Sequence, residues 1–293
     1  MRTTQRPRHD VADLFPELAG HARTTVRLHP RLEAEPAPEA SKLGGRMRWP
    51  ADEPWPRCDR SHALWDSLGT VLPPDDRPYV PVLQLRKADV PELDFPVGTD
   101  VFQLLWCPTD HPDPFYVPVV RVFWWEGSDL VDVIPPAPVP SPTGSNYIAR
   151  PCALHPERVE EFPHVWALPE PLSDAIRAWE AELGKGPAEY QFALSSAPGT
   201  KVGGHLFWYQ EPEPQTCDAA HDMDHLVTIS DVEFDGGTWP RWLAVEEADA
   251  WDGPTDRRLD IQAAIGIELA MGSIYVFICR TCPDLPIQQV YQR

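Results

Sequence analysis

Along most of the chain, apolar residues either alternate with polar ones or run together in short continuous stretches. Tyr79–Leu85, Val101–Trp106, Val117–Trp125, His205–Tyr209, His225–Ile229 and Ser273–Cys279 each read as a strand, and Thr24–Leu28 adds another near the N-terminus. Only Pro171–Leu183 keeps a helical face: Leu172, Ile176, Trp179 and Leu183 lie on one side, Ser173 stands near the start and Gly184 just past the end. A shorter pattern at Val11, Leu14 and Leu18 predicts a helical segment before the first strand. The chain has 36 prolines in 293 residues, about twice the usual ~5%, which limits helix further. Five of them fall in residues 134–144 and predict an extended connector. These patterns divide the chain into an N-terminal helix and strand (1–40), a first β-rich unit (41–133), a proline-rich connector with a helix (134–190) and a second β-rich unit (191–293).

The two β-rich units share a register. Ser41-Lys-Leu-Gly-Gly45 recurs as Thr200-Lys-Val-Gly-Gly204, and thirteen residues beyond the second glycine stand Cys58 in one copy and Cys217 in the other. Each cysteine is followed by Asp (Asp59, Asp218) and then by His at the fourth position (His62, His221). Further on, DVFQLLWC ending at Cys107 matches GSIYVFIC ending at Cys279, with thirteen more residues in the second copy's intervening segment. Self-similarity of this kind reports duplicated structural units. The expected fold is therefore α+β and predominantly β, with two diverged repeats related by a pseudo-two-fold axis in one compact body.

The first copy carries a longer pattern. Ser41-Lys-Leu-Gly-Gly45, Trp49-Pro50, Trp55-Pro56, the strand Val80–Leu85, Ala88–Leu93 and the strand Val101–Trp106 follow in that order. This order resembles the YwqG-like proteins, a bacterial family whose domain has no established function. The likeness covers residues 41–125 and, more weakly, 200–293. It implies a duplicated β-rich architecture and carries over no catalytic residue.

Charge narrows the partners. Twenty-five Lys and Arg against 45 Asp and Glu leave a net charge of −20, a field that repels nucleic-acid phosphate and anionic membrane. The basic N-terminus has no apolar stretch behind it, and no run of apolar residues is long enough to span a bilayer. The expectation is an acidic, cytoplasmic protein that binds neither nucleic acid nor membrane.

The candidate chemistry lies in cysteine and histidine. Cys58/His62 with Cys107/His111, and Cys217/His221 with Cys279/Cys282, give each copy two ligand pairs close in sequence. Tetrahedral zinc takes such sets, because one turn presents two donors and two turns close the site. The alternative is that repeated cysteines mark repeated packing positions. Cys107–His111 and Cys279–Cys282 are expected where a strand end turns back, with His111 in a Pro/Asp-rich loop. Asp59 and Asp218 read either as carboxylates orienting the ligand histidines or as turn and cap residues. The Ser/Thr-Lys-x-Gly-Gly loops read as tight turns or as anion nests. The Trp49/Trp55, Trp124/Trp125 and Trp239/Trp242 clusters read as core or as groove lining. Glu246, Glu247, Asp249 and Asp252 read as a solvated loop face. No nucleophile elbow, zinc-protease motif or dinucleotide fingerprint occurs, so no reaction is named. The leading reading is a binding or interaction protein with one or two structural zinc ions and an unknown protein or small-molecule partner. The alternative is a metal-dependent hydrolase whose zinc keeps an open position.

Overall fold

The computed structural model describes residues 2–32, 35–62, 76–113, 116–132, 135–138, 146–184, 189–251 and 260–293. Most of the expected proline-rich connector, residues 134 and 139–144, lies outside the described residues, as does Asp252.

Twelve strands matter for the architecture. They are β1 (Arg23–Arg27), β2 (Arg31–Leu32), β3 (Lys42–Leu43), β4 (Val80–Arg86), β5 (Val101–His111), β6 (Val117–Trp125), β7 (Cys152–Ala153), β8 (Glu157–Glu161), β9 (Lys201–Gly203), β10 (Asp224–Ser230), β11 (Ser273–Ile278) and β12 (Ile287–Gln292). They form two six-stranded sheets, ordered β2-β7-β3-β4-β5-β6 and β8-β1-β9-β10-β11-β12. Every pairing within them is antiparallel. The chain crosses between sheets twice. It enters through β1 in the second sheet and continues into β2 in the first, then later passes from β7 in the first sheet to β8 in the second.

The registers of the two sheets run alike. Lys42 and Leu43 face Gln84 and Leu83, while Lys201 and Val202 face Thr228 and Val227. Both following ladders slip by one residue at the next step, between Pro81 and Leu83 and between His225 and Val227. The turn after β3 and the end of β9 each use two left-handed glycines, with φ of 61° and 72° at Gly44 and Gly45 and 62° and 70° at Gly203 and Gly204. A Cβ at Gly44 would lie 2.5 Å from the Ala149 carbonyl oxygen, so the close backbone approach itself requires glycine there.

Strands β5 and β11 are buried along their whole length, which explains why their sequences lack alternation. Phe102, Leu104 and Trp106 of β5 and Ile274, Val276 and Ile278 of β11 fill the main core between the sheets. The residues in between point outward into two smaller clusters. Leu105 and Cys107 meet Met47, Trp49, Cys58 and Tyr79, whereas Tyr275, Phe277 and Cys279 meet Cys217, Met223 and Val290. Each large apolar side chain so buried contributes about 1.5–3 kcal/mol. Trp49 and Trp242 are only 1% exposed, and Trp49 packs edge-on against Phe123 and Trp125, so both of these tryptophan groups have a core member.

The expected helix runs from Glu170 to Leu183 and ends at Gly184 in a left-handed cap. It lays Leu172 and Ile176 against Leu18, Phe162, Tyr190 and Leu194. The N-terminal pattern splits into a short helix Val11–Leu14, capped by Asp10, and a 3-10 turn Pro16–His21, because Pro16 cannot continue the first segment. Among the described residues no helix is long and apolar enough to cross a membrane.

Two expectations fail for identifiable reasons. His205–Tyr209 forms no strand: the paired left-handed glycines turn the chain off the sheet, and the His205 N–H bonds the Glu161 carboxylate at 2.9 Å instead of a neighbouring strand. The acidic stretch is not wholly solvated. Glu247 is buried and takes two hydrogen bonds of 2.7 Å from Arg31, while Glu246 accepts from the backbone and side chain of Thr3. The same region anchors the first crossing between sheets. Arg27 donates to Thr4 and to the carbonyls of Glu233 and Trp242, and the two ring nitrogens of His29 face Glu157 and Glu233.

Candidate metal centres

In the first half, Cys58 stands on a two-strand ribbon, Arg57–Cys58 paired with Arg77–Pro78, and His62 follows four residues later. Cys107 and His111 lie within β5 itself rather than in a loop beyond it, and His111 is fully buried rather than solvated. A regular strand would separate residues four apart by about 13 Å, too far for one ion. The ladder removes that distance: from Cys107 opposite Val119 to His111 opposite Val117, four steps on β5 match two on β6. The extra residues bulge out of the ladder, and both side chains reach one point. Cys58 Sγ lies 3.4 Å from His111 Nε2, and Cys107 Sγ lies 3.4 Å from His62 Nε2.

The second half reaches the same end by turns. Cys217 and His221 close a tight loop in which the Cys217 N–H bonds the His221 carbonyl at 3.0 Å and Ala220 adopts a left-handed φ of 59°. Cys279 directly follows β11, and the chain turns at once, with the Cys279 sulfur accepting backbone N–H groups of Cys282 and Thr281. His221 Nδ1 sits 3.6 Å from Cys217 Sγ, 3.7 Å from Cys279 Sγ and 3.4 Å from Cys282 Sγ, and the Cys217 and Cys282 sulfurs are 3.8 Å apart.

Within each set the four donor atoms all lie within 4.8 Å of one another. With Zn–S near 2.3 Å and Zn–N near 2.0–2.1 Å, the edges of a tetrahedron measure about 3.3–3.8 Å. The individual contacts above match those edges, and Cys2His2 and Cys3His are donor sets able to hold a metal ion such as zinc. The structure thus brings together every residue of both expected sets.

The thiols influence one another strongly. A hydrogen bond from Cys107, with further ones from His111, the Arg60 backbone and His62, holds the Cys58 thiol down to about 3. The same contact, reinforced by burial, pushes Cys107 well up. In the second set the hydrogen bond to Cys279, burial and the nearness of Cys217 push Cys282 up to about 12. Such sets share protons among sulfurs that a divalent cation would displace on binding.

One ligand ring is oriented by backbone. His111 Nδ1 lies 3.3 Å from the Val117 carbonyl, which fixes the ring with Nε2 toward the sulfurs. Asp59 and Asp218, the sequence candidates for that task, are both exposed. A backbone carbonyl carries no residue-type signal, so this contact leaves no trace in the sequence. The Lys201 loop shows another unforeseen contact, since the Glu161 carboxylate accepts from the backbone of Ala197 and His205 and from Lys201 Nζ. Of the two readings of the Thr200–Gly204 loop, the tight turn is the one seen, with left-handed Gly203 and Gly204, and the anion beside it is the chain's own Glu161. Cys152, which has no counterpart in the other unit, is fully buried in the main core and packs there as a small apolar residue. Beside the first set a cleft of about 330 Å³ is lined by Asp59, Arg60, Tyr79, Val119, Val120 and Arg121.

A scan against protein-family models finds no match, and a search of the curated proteins finds none either.

Proposed function

We propose that the protein is a cytoplasmic binding or interaction protein in which two structural zinc ions, one per half, fasten the outer clusters to their sheets. The observation that carries this reading is the convergence of four Cys and His donors at each of two places. Four protein donors close a zinc site, whereas hydrolytic zinc keeps a position for water, so the geometry favours a structural role over a hydrolase. The six free cysteines fit a reducing compartment.

Duplication and pseudo-two-fold symmetry belong to the same proposal. They are supported by the parallel strand orders, the shared one-residue slips and the shared pair of left-handed glycines. Membership in the YwqG-like family is proposed on the residue pattern from Ser41 to Trp106. The partner is proposed to bind at the cleft formed by Asp59, Arg60, Tyr79 and Arg121, which adjoins the first centre through Asp59 and Arg60.

Elemental analysis of freshly purified protein tests the reading. The expected result is two zinc per chain, falling to one in Cys107→Ser and in Cys282→Ser, with Cys152→Ser unchanged. A chain that carries no metal would leave the repeated cysteines as packing residues.

A further inference from the structure

The fold protects the sulfurs of the two centres unequally. In the first, all four ligands are buried, the most exposed being His62 at 7%. In the second, Cys217 and Cys279 are buried, but His221 and Cys282 are half-buried. Charge differs in the same sense. Two thiolates and two imidazoles neutralise a zinc ion, while three thiolates and one imidazole leave one excess negative charge, so the second centre's sulfur is the more electron-rich. Accessible, electron-rich thiolate is the form of cysteine that oxidants attack. A second sulfur stands ready, since Cys217 Sγ is 3.8 Å from Cys282 Sγ.

Building on the zinc reading, we propose that Cys282 is a site of oxidative modification by hydroperoxides, and that its oxidation empties the second centre while the first stays loaded. The Cys282 thiolate attacks a peroxide oxygen, the O–O bond breaks and the departing hydroxide takes a proton to become water. The resulting sulfenic acid is attacked by the Cys217 thiolate, which forms the S–S bond and expels a second hydroxide, also protonated to water. In sum, two thiolates, one hydrogen peroxide and two protons give one disulfide and two waters. The sulfur pair loses two electrons and the peroxide gains them. The zinc then retains only His221 and Cys279 and leaves.

The test uses the full chain as isolated, with zinc per chain measured first. Hydrogen peroxide is then added with a chromogenic zinc chelator, and the oxidised protein is digested under non-reducing conditions for peptide mass spectrometry. The expected result is release of one zinc equivalent about tenfold or more faster than the other, a Cys217–Cys282 cross-link, and restoration of the lost equivalent by thiol reductant plus zinc. Cys282→His keeps four donors and should release both equivalents at the slow rate. The proposal is overturned if both ions leave together, if the first centre empties first, if neither leaves, or if Cys282→His releases zinc as fast as the parent. A chain isolated without zinc overturns the metal reading instead, and shows itself before any peroxide is added.

Discussion

Lys42 in β3 and Lys201 in β9 hold matching register positions and are both fully buried, yet their ammonium groups are satisfied differently. Lys201 reaches Glu161 at 2.8 Å, and that carboxylate also collects two backbone N–H groups. Lys42 donates to the Ala37 carbonyl at 2.9 Å, with Glu35 and Glu39 acting only through space. The same five-residue motif thus serves two electrostatic ends, decided by which carboxylate the rest of the fold brings to the loop. Burial pushes both lysines down from their ordinary value, Lys42 to about 8. The two Cys/His clusters repeat the lesson: a bulged strand assembles one and two tight turns the other, from cysteines at matching places.

On the zinc proposal, the strongest way to break the comparison is to remove metal. Extended dialysis against a high-affinity chelator should lower the melting temperature by ~10 °C or more, since a structural site contributes its binding free energy to folding. Calorimetry before and after dialysis reads this directly, and an unchanged transition would mean that neither centre holds its half together.

Next in size is the lysine pair. Lys201→Met leaves the Glu161 carboxylate buried without its cation and should cost about 3–5 kcal/mol. Lys42→Met removes one hydrogen bond to a carbonyl and should cost only about 1 kcal/mol. Urea unfolding of both variants decides whether the two loops differ as described.

Glycine substitutions sharpen the contrast at a smaller scale. Gly44→Ala must adopt a left-handed φ and also push its methyl into the Ala149 carbonyl at 2.5 Å, whereas Gly203→Ala has nothing nearer than 3.9 Å. The second should cost about 1–2 kcal/mol from backbone conformation alone, and the first clearly more. Equal losses in thermal melts would show that the close approach at Gly44 relaxes freely.

The last test is a pH dependence. Because the folded Lys42 loses its proton near 8 and the unfolded one near 10.5, the unfolded chain binds more protons between those values. Stability contributed at this position therefore rises with pH across that window. The difference in unfolding free energy between the parent and Lys42→Met should grow in the parent's favour from about pH 8 to 10.5. A flat difference would place the lysine in contact with solvent.

Much of this molecule is legible in its sequence. Val117–Trp125 is a strand over the residues its pattern gives, and the helix ends where Gly184 ends it. The two converging Cys/His sets were legible because cysteine and histidine are scarce and their spacing repeats. What escaped is what depends on distant partners. The two-residue strands β2, β3 and β7 are too short for any period. Arg27, His29, Arg31, Glu157, Glu233 and Glu247 look like ordinary surface charges until four separate segments converge and bury most of them. His205–Tyr209 has strand-like residues, but the glycines before it deny it a neighbour.

The two crossings between sheets have a mechanical consequence. β1 lies between β8 and β9, and β7 lies between β2 and β3. Each half of the chain is therefore clasped by a strand from the other, like two hands with interlaced fingers. A protease that cuts only within residues 139–145 would yield two fragments that still travel together through a sizing column, and they should part only when denaturant unthreads both strands at once.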